Sequence, residues 1–281
     1  RQGVIGGITV SDPDVGAGNV EVTLTVTNGT LTATGPAAVA NPGTASIMVT
    51  GTVADVNTTL TALMYTGDPD FAGADSVSVS VSDLGNTGTP GPLTDVGAVG
   101  ITVDPVNDAP TVVGPAPVNG DEETPIAVPG IVMSDVDAGA GTVRATLDVA
   151  NGTLSATSSG GALIAGDGTV ATPLTVDGTL ADVNATLASL TYTGDPDFVG
   201  GDTINVLVDD LGATGTGGPL TAVTTVSITV DPVNDAPVLA LPGPLNVTEE
   251  VAGVIGGITV SDPDVGAGNV EVTLTVTNGT L

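Results

Sequence analysis

Residues 142–152 have the sequence Thr-Val-Arg-Ala-Thr-Leu-Asp-Val-Ala-Asn-Gly, and this stretch indicates the fold class. Apolar Val143, Leu147 and Val149 alternate with polar residues, which is the period-two pattern of a β-strand with one buried face. Asn151-Gly152 follows, and these two residue types accept the positive φ angles that a tight hairpin turn needs. The stretch therefore predicts a strand that ends in a β-hairpin.

The same alternation recurs at 20–26, 77–81 and 226–230. Strands are predicted near 111–119, 124–133, 142–150, 153–158, 186–193, 202–209 and 223–231. One short helical turn is expected at Gly178–Asn184, where Thr179 and Asp182 fit a capping box. Seven antiparallel strands with many turn residues predict an all-β, immunoglobulin-like sandwich. An odd number of strands puts the two ends of each sandwich at opposite poles, so successive sandwiches are expected to join end to end.

A long internal repeat divides the chain. Gly3–Leu31 is identical to Gly253–Leu281, and a diverged version of the same segment surrounds Ser134-Asp-Val-Asp137. Repeats of this length are large enough to bury a core of their own. The expected organisation is a repeat lacking its first strand at 1–107, a complete repeat at 108–234 and the N-terminal part of a third at 235–281.

The charge balance excludes several classes of function. The formal net charge is -30, from 32 acidic residues and two arginines, and the sequence contains no histidine and no cysteine. Such a surface repels nucleic acid and anionic membranes. No apolar run approaches the roughly 20 residues of a membrane-spanning helix, so no membrane insertion is expected in this segment. Without Cys, His or Lys most nucleophilic chemistry is absent as well, and the chain is not expected to be an enzyme.

The acidic residues cluster in particular loops. Because the predicted strands alternate in direction, three acid-rich loops of the middle repeat fall at one pole and face a loop of the next repeat. The converging acids would be Glu122, Glu123, Asp195, Asp197, Asp231 and Asp235, with Asp262 and Asp264 from the following repeat. Carboxylates crowded in this way need cations, and Ca²⁺ accepts six to eight oxygen ligands in irregular geometry. Each motif is also an ordinary Asp turn, and Asp209-Asp210 is interpreted as only that.

Two further motifs carry a family resemblance. The linkers Asp104-Pro-Val-Asn-Asp-Ala-Pro110 and Asp231-Pro-Val-Asn-Asp-Ala-Pro237 resemble the Ca²⁺-binding linker of cadherin repeats. Tyr192-Thr-Gly-Asp-Pro-Asp-Phe198 is similar to a block in the bacterial cadherin-like and VCBS-type repeats of giant surface adhesins. The resemblance implies cadherin-like sandwiches, secretion, and linkers stiffened by Ca²⁺.

The resemblance and the repetition extend the set of candidate metal ligands. At the second linker Asn234 joins the converging acids. The equivalent residues at the first linker are Asp68, Asp70, Asp104, Asn107, Asp108, Asp135 and Asp137. The linker departs from the cadherin pattern, since an extra residue separates Asp231 from Asn234 and Ala236 replaces a second Asn ligand. The number of ions at each junction therefore stays open.

These observations predict a structural or adhesive repeat segment of an extracellular fibre or giant cell-surface protein. Its partners would be the neighbouring repeats of the same protein. In one alternative, the fold is the same but identical chains assemble into a multi-chain filament. A carbohydrate-binding module is the less favoured alternative, because sugar sites usually present aromatic rings and only 1% of these residues are aromatic.

Overall fold

The structure is a computed structural model that describes residues 2–86, 89, 91–212 and 214–281. The chain forms two compact units. The first comprises Arg1–Asp108 with Gly212–Pro219, and the second comprises Ala109–Leu211 with Leu220–Leu281. The predicted division into three repeats, 1–107, 108–234 and 235–281, remains a prediction.

The first unit contains eight strands and one helix within its described residues. They are β1 (Gln2–Val4), β2 (Asn19–Thr25), β3 (Gly29–Thr32), β4 (Ala38–Ala40), β5 (Ser46–Thr52), α1 (Val53–Leu60), β6 (Met64–Gly67), β7 (Gly73–Ser82) and β8 (Thr94–Val103). One sheet has the order β4-β5-β2-β7-β8, and the other has the order β1-β6-β3. The two sheets enclose a core of Val, Leu and Ile side chains around Tyr65.

The second unit repeats this plan with additional strands. Its elements are β9 (Thr111–Val113), β10 (Val118–Asp121), β11 (Ile126–Ala127), β12 (Val132–Ser134), β13 (Thr142–Asp148), β14 (Gly152–Ser155), β15 (Leu163–Ala165), β16 (Leu174–Thr179), α2 (Leu180–Leu187), β17 (Thr191–Gly194), β18 (Gly200–Asp209), β19 (Thr221–Asp231), β20 (Val238–Ala240) and β21 (Thr259–Ser261). The main sheet has the order β10-β19-β18-β13-β16-β15 and faces the sheet β11-β17-β14. Two short pairs, β9–β12 and β20–β21, complete the unit.

The core of the second unit lies between these facing sheets. The alternation that begins at Val143 points every second side chain inward, and Val143, Ala145 and Leu147 are fully buried. Tyr192 fills the centre and is fully buried as well. At about 25 cal/mol per Å² of buried apolar surface, this interior of aliphatic side chains is the main source of stability in a chain with few aromatic residues.

The short helix of each repeat is fixed at two points. At the start of α2, Thr179 Oγ1 accepts a hydrogen bond from Asp182 N at 3.3 Å and donates one to Asp182 Oδ2 at 2.9 Å. Further along, the Asn184 amide accepts from Met133 N at 2.9 Å and donates to Met133 O at 2.8 Å. Equivalent contacts join Thr52 to Asp55 in α1. The capping box therefore starts the helix, and the asparagine ties it to the adjacent strand.

The prediction of all-β sandwiches with one short helix per repeat is confirmed. The predicted strand 111–119 is divided into β9 and β10, because Pro115 lacks the N–H that a continuous strand would use. Pro129-Gly130 separates β11 from β12 in the same way. The predicted strand 186–193 begins only at Thr191, since α2 continues to Leu187. The hairpin of β15 and β16 was not predicted.

Helices α1 and α2 have eight residues each. Among the described residues, no helix combines the length and apolar character that crossing a bilayer requires.

Candidate metal centre

Acidic loops meet at one end of the second unit. Strand β10 runs parallel to β19, and their last residues, Asp121 and Asp231, are paired. Glu122 continues this contact by donating its backbone N–H to Asp231 O at 3.0 Å. The segments that leave the two strands, which carry Glu122-Glu123 and Asp235, therefore start side by side.

Two overlapping sets of carboxylates lie in this region, and we refer to them together as the acidic cluster. Glu122, Asp235 and Asp264 form one set, and Glu123, Asp197 and Asp235 form the other. Within each set, one carboxylate oxygen of every residue lies within 4.8 Å of those of the other two. Asp235 belongs to both sets, so the acidic cluster could hold either one cation or two adjacent ones.

Backbone conformation helps to position two of these side chains. Glu123 has a φ of 61° and Asp197 has a φ of 58°, both in the left-handed region. Asp tolerates this region in turns, whereas Glu rarely adopts it, so the Glu123 conformation is strained. Asp197 lies in a turn closed by a hydrogen bond of 3.1 Å from Phe198 N to Asp195 O. These turns hold two acidic residues next to a third, Asp235.

Hydrogen bonds from the protein satisfy only part of the acidic cluster. Glu122 is almost buried, with 3% exposure, and its Oε1 accepts a hydrogen bond from Val233 N at 2.8 Å. The Asp264 carboxylate accepts one from Asp235 N. Asp262 shapes the loop that carries Asp264, because its Oδ1 accepts from Asp264 N at 3.0 Å and from Val265 N at 3.1 Å.

The electrostatic effect of this crowding is visible in two pKa values. The negative charge of Asp235, followed by partial desolvation, raises the pKa of Glu123 above its ordinary value. Partial burial and the charge of Asp264 raise the pKa of Asp235. Both shifts are those expected when like charges lie together without a counter-charge.

The basic side chain of the described residues lies elsewhere. Arg144 Nε donates to Asp177 Oδ1 at 2.7 Å, and its Nη2 donates to Asp177 Oδ2 at 2.8 Å. This bidentate pair occupies the guanidinium on the outer face of β13 and β16. This guanidinium therefore does not neutralise the acidic cluster.

The donor set of the acidic cluster fits a hard divalent cation. All its side-chain ligands are carboxylate oxygens, which Ca²⁺ and Mg²⁺ prefer, and the irregular geometry favours Ca²⁺. A second observation comes from the loop at Asp135–Asp137 of the second unit, whose sequence resembles that of the loop at Asp262–Asp264. There Asp135 Oδ1 accepts from Asp137 N at 2.7 Å and Ala138 N at 3.1 Å, while Oδ2 is buried without a hydrogen-bond partner among the described residues. A buried carboxylate oxygen of this kind is normally paired, so it is suited to a cation.

The structure brings together five of the predicted ligands, namely Glu122, Glu123, Asp197, Asp235 and Asp264. Asp195, Asn234 and Asp262 lie in the same loops and Asp231 ends β19, but none of the four belongs to the two sets. The Asn234 amide donates to Asp235 O at 3.2 Å, and Asp262 forms the turn that carries Asp264.

The candidates of the first linker are less closely grouped within each unit. In the first unit, the structure describes Asp68, Asp70, Asp104, Asn107 and Asp108, and the buried Asn107 amide donates to Gly218 O at 2.9 Å. In the second unit, Asp135 and Asp137 share one loop. Within the described residues of either unit taken alone, these seven form no set of three carboxylates like those around Asp235.

One acidic residue near the predicted ligands has a different role. Asp202 is 8% exposed, and its carboxylate accepts hydrogen bonds from Asn151 N at 2.9 Å, Tyr192 OH at 3.2 Å and Thr203 N at 2.7 Å. In the first unit Asp75 has the same relation to Tyr65 OH, at 3.1 Å. The sequence pattern did not predict this structural role, since the Asp lies ten residues from its Tyr.

Comparison with known proteins gives distant structural likenesses. No protein-family model and no curated protein matches the chain. Similar solved structures include the cis-dimer structure of protocadherin gammaB7 EC3-6, with 15% identity, a TM-score of 0.37, and coverage of 85% of this chain and 52% of that one. Human CDH23 EC21-23 is 18% identical with a TM-score of 0.37, and the match covers 86% of this chain and 68% of that one. The C-terminal domain of Streptococcus agalactiae AgI/II polypeptide BspA is 11% identical with a TM-score of 0.27, and the match covers 80% of this chain and 88% of that one.

The chain thus spans about half the length of the protocadherin structure, at 52%. Likenesses with TM-scores of 0.37 and below carry no argument about family or function.

Proposed function

We propose that this chain is a structural or adhesive repeat segment of an extracellular fibre or large cell-surface protein, stiffened by Ca²⁺ bound at its acidic cluster. The observation that supports the proposal is the pair of carboxylate sets sharing Asp235, with no basic side chain among the described residues near them. The composition, which lacks His, Cys and Lys, fits a structural role.

The residues that would hold the ion come from separate segments. Glu122 follows β10, Asp235 follows β19, and Asp264 follows β21. A bound Ca²⁺ would neutralise these carboxylates and tie the three segments to one centre. In terms of the predicted repeats, Glu122 belongs to the middle repeat and Asp264 to the next one. The ion would therefore restrict the motion of the linker around Asp235.

Local stiffening can be measured by placing spin labels on both sides of Asp235. The chain contains no cysteine, so Val223→Cys on β19 and Leu239→Cys on β20 give two unique labelling sites, both exposed. Electron–electron double resonance would then report the distribution of distances between the labels. We expect Ca²⁺ to narrow this distribution in the otherwise unchanged chain.

The matched variants separate the acidic cluster from general ionic effects. Asp235→Asn removes the carboxylate shared by both sets and should abolish the narrowing. Asp177→Asn, which also removes one acidic group but lies on the outer face of β16, should leave the narrowing intact. A distribution of the same width with and without Ca²⁺ in the unsubstituted background would contradict the proposal.

A further inference from the structure

The linker that follows β8 is paired with a segment that is distant in sequence. Residues 212–219, Gly-Ala-Thr-Gly-Thr-Gly-Gly-Pro, lie between β18 and β19 along the chain, yet they belong to the first unit, as does the linker up to Asp108. We call residues 212–219 the glycine-rich segment. Val106 and Thr216 form a parallel β-bridge, so the linker and the glycine-rich segment lie side by side as two very short strands.

Hydrogen bonds between described residues hold the linker in this position. Thr216 N donates to Pro105 O at 3.2 Å, and Asn107 N donates to Thr216 O at 3.0 Å. The Asn107 side chain adds a bond from Nδ2 to Gly218 O at 2.9 Å, and only 6% of this residue is exposed. Pro105 has no N–H, so its carbonyl is the backbone group that can pair. The donors and acceptors of these three bonds are all neutral groups.

Gly215 permits the close approach of the two segments. It has a φ of 84°, and a Cβ there would lie 2.7 Å from Asn107 N and 2.8 Å from Val106 C. Any other residue would therefore push the linker away. Gly218 has a similar φ of 75°, but a Cβ there would meet nothing within 4 Å. The linker thus requires a glycine at 215, whereas Gly218 is required only by its own backbone conformation.

The Asn107 side chain makes the pairing selective for sequence. Its amide donates to Gly218 O, whereas an Asp in the same place would bring a second acceptor against this carbonyl. Both partners of the pairing recur in the sequence. Residues 231–237 repeat the linker 104–110, and residues 85–92, Gly-Asn-Thr-Gly-Thr-Pro-Gly-Pro, follow the pattern of the glycine-rich segment.

We propose that the glycine-rich segment is a recognition surface for the linker sequence Pro-Val-Asn, and that it keeps the first linker ordered without a bound cation. Extended peptides commonly bind by pairing their backbone with exposed N–H and C=O groups, and side chains then give the specificity. Here Thr216 supplies the backbone groups, and Asn107 is the side chain that is recognised. The Ca²⁺ proposed above would bind around Asp235, so the two proposals can fail separately.

Amide hydrogen exchange of the full chain in chelator, followed residue by residue by NMR, tests the inference. We expect the amides of Asn107 and Thr216 to be protected, because both are donors in the pairing. Gly215→Ala should accelerate the exchange of both by roughly tenfold or more, since the added Cβ forces the two segments apart. Gly218→Ala is the matched control. It adds the same methyl group at a similar φ but in open space, so the protection should stay nearly unchanged.

Two further measurements make the test specific. Asn107→Asp keeps the size of the side chain and its backbone N–H but replaces the donor at Gly218 O by a carboxylate, so the Thr216 amide should exchange faster. Adding Ca²⁺ to Gly215→Ala should not restore the protection. Amides in β2, which is paired on both sides within the first unit, should stay protected in every variant and show that the sandwich remains folded.

Free exchange of the Asn107 and Thr216 amides in chelator would overturn the inference, whether or not Ca²⁺ then protects them. Equal exchange rates in Gly215→Ala and Gly218→Ala would overturn it too, because the close approach at Gly215 would then have no part in ordering the linker.

Discussion

Two nearly buried carboxylates of the second unit, Asp202 and Glu122, have contrasting surroundings. Asp202 accepts three hydrogen bonds from neutral donors, including Tyr192 OH. Glu122 accepts one from Val233 N and lies within 4.8 Å of the Asp235 and Asp264 carboxylates. The protein itself satisfies the first carboxylate, whereas it surrounds the second with like charges.

The contrast distinguishes an acid that belongs to the core from acids that are suited to a cation. Burial, and then the charge of Asp202, raise the pKa of Tyr192, so the Tyr192 side chain remains a neutral phenol at neutral pH. In the first unit, burial and Asp75 raise the pKa of Tyr65 to about 12. At the acidic cluster, the backbone N–H groups of Val233 and Asp235 satisfy only part of the carboxylate oxygens, and like charges remain together. Core acids and cluster acids should therefore respond differently to substitution and to Ca²⁺.

The largest effect is expected from removing the core carboxylate. Asp202→Ala leaves Asn151 N without this acceptor, while Tyr192 OH keeps its hydrogen bond of 2.8 Å to Asn151 O. A buried unpaired donor costs up to about 3 kcal/mol of unfolding free energy. Urea unfolding with and without Ca²⁺ would measure this loss of unfolding free energy, which should be the same in both conditions. Asp121→Ala, which removes an exposed acid, serves as the control. A loss that appears only with Ca²⁺ would erase the distinction between the two kinds of acid.

At the acidic cluster, by contrast, the effect of a substitution on stability is expected to depend on Ca²⁺. At a hundredfold excess over its dissociation constant, one bound Ca²⁺ would add about 2.7 kcal/mol to the unfolding free energy. Glu122→Gln should lose this gain while unfolding almost normally in chelator, because Gln keeps the hydrogen bond to Val233 N. Calorimetric melting in chelator, Ca²⁺ and Mg²⁺ would measure this stabilisation in both proteins. Mg²⁺ should replace Ca²⁺ poorly because it resists dehydration. The same Ca²⁺ gain in Glu122→Gln would mean that this residue is not a ligand.

A smaller effect is expected at the helix cap, where a third acid is satisfied by the protein. Thr179→Ala removes the hydroxyl that bonds Asp182 N and the Asp182 carboxylate, and a lost N-cap costs about 1 kcal/mol. Thr52→Ala is the matched change in α1. Thermal melting should show that both variants lose a similar amount of stability, and that this loss does not depend on Ca²⁺. A Ca²⁺-dependent loss in either would contradict this assignment.

The smallest effect concerns the acid that is paired with a base. The hydrogen bond from Arg144 lowers the pKa of Asp177, and this partly exposed pair contributes below about 0.5 kcal/mol. Because the folded-state pKa is lowered, the contribution is complete above the ordinary pKa of Asp and disappears as the pH falls through the lowered value. Asp177→Asn should therefore reduce stability slightly at neutral pH and have no effect in strong acid. If Asp177→Asn reduced the free energy of unfolding more in acid than at neutral pH, the ion pair between Arg144 and Asp177 would be contradicted.

Much of the fold could be predicted from the sequence, because alternation at Val143–Val149 and the capping box at Thr179 are local signals. The breaks at Pro115 and Pro129 determine where strands change sheets, and alternation of apolar residues alone does not reveal them. The hairpin of β15 and β16 was missed, since Leu163–Ala165 is short and lies among Gly and Ser residues. The parallel pairing of β10 with β19 has no local signature at all.

The acidic cluster was predicted in part for similar reasons. The carboxylates of both sets were among the candidates, because strand direction alone assigns each loop to a pole. Which acids point inward depends on details such as the positive φ of Glu123 and the turn formed by Asp262. The core role of Asp202 depends on strand register, which places it near Tyr192 OH.

Direct titration of Ca²⁺ into the metal-free chain by isothermal calorimetry tests the central claim most closely. We expect saturable binding that is weakened strongly in Asp235→Asn, since Asp235 is shared by both carboxylate sets, and that is unchanged in Asp177→Asn. Absence of saturable Ca²⁺ binding, or equal binding by the unsubstituted chain and Asp235→Asn, would contradict it.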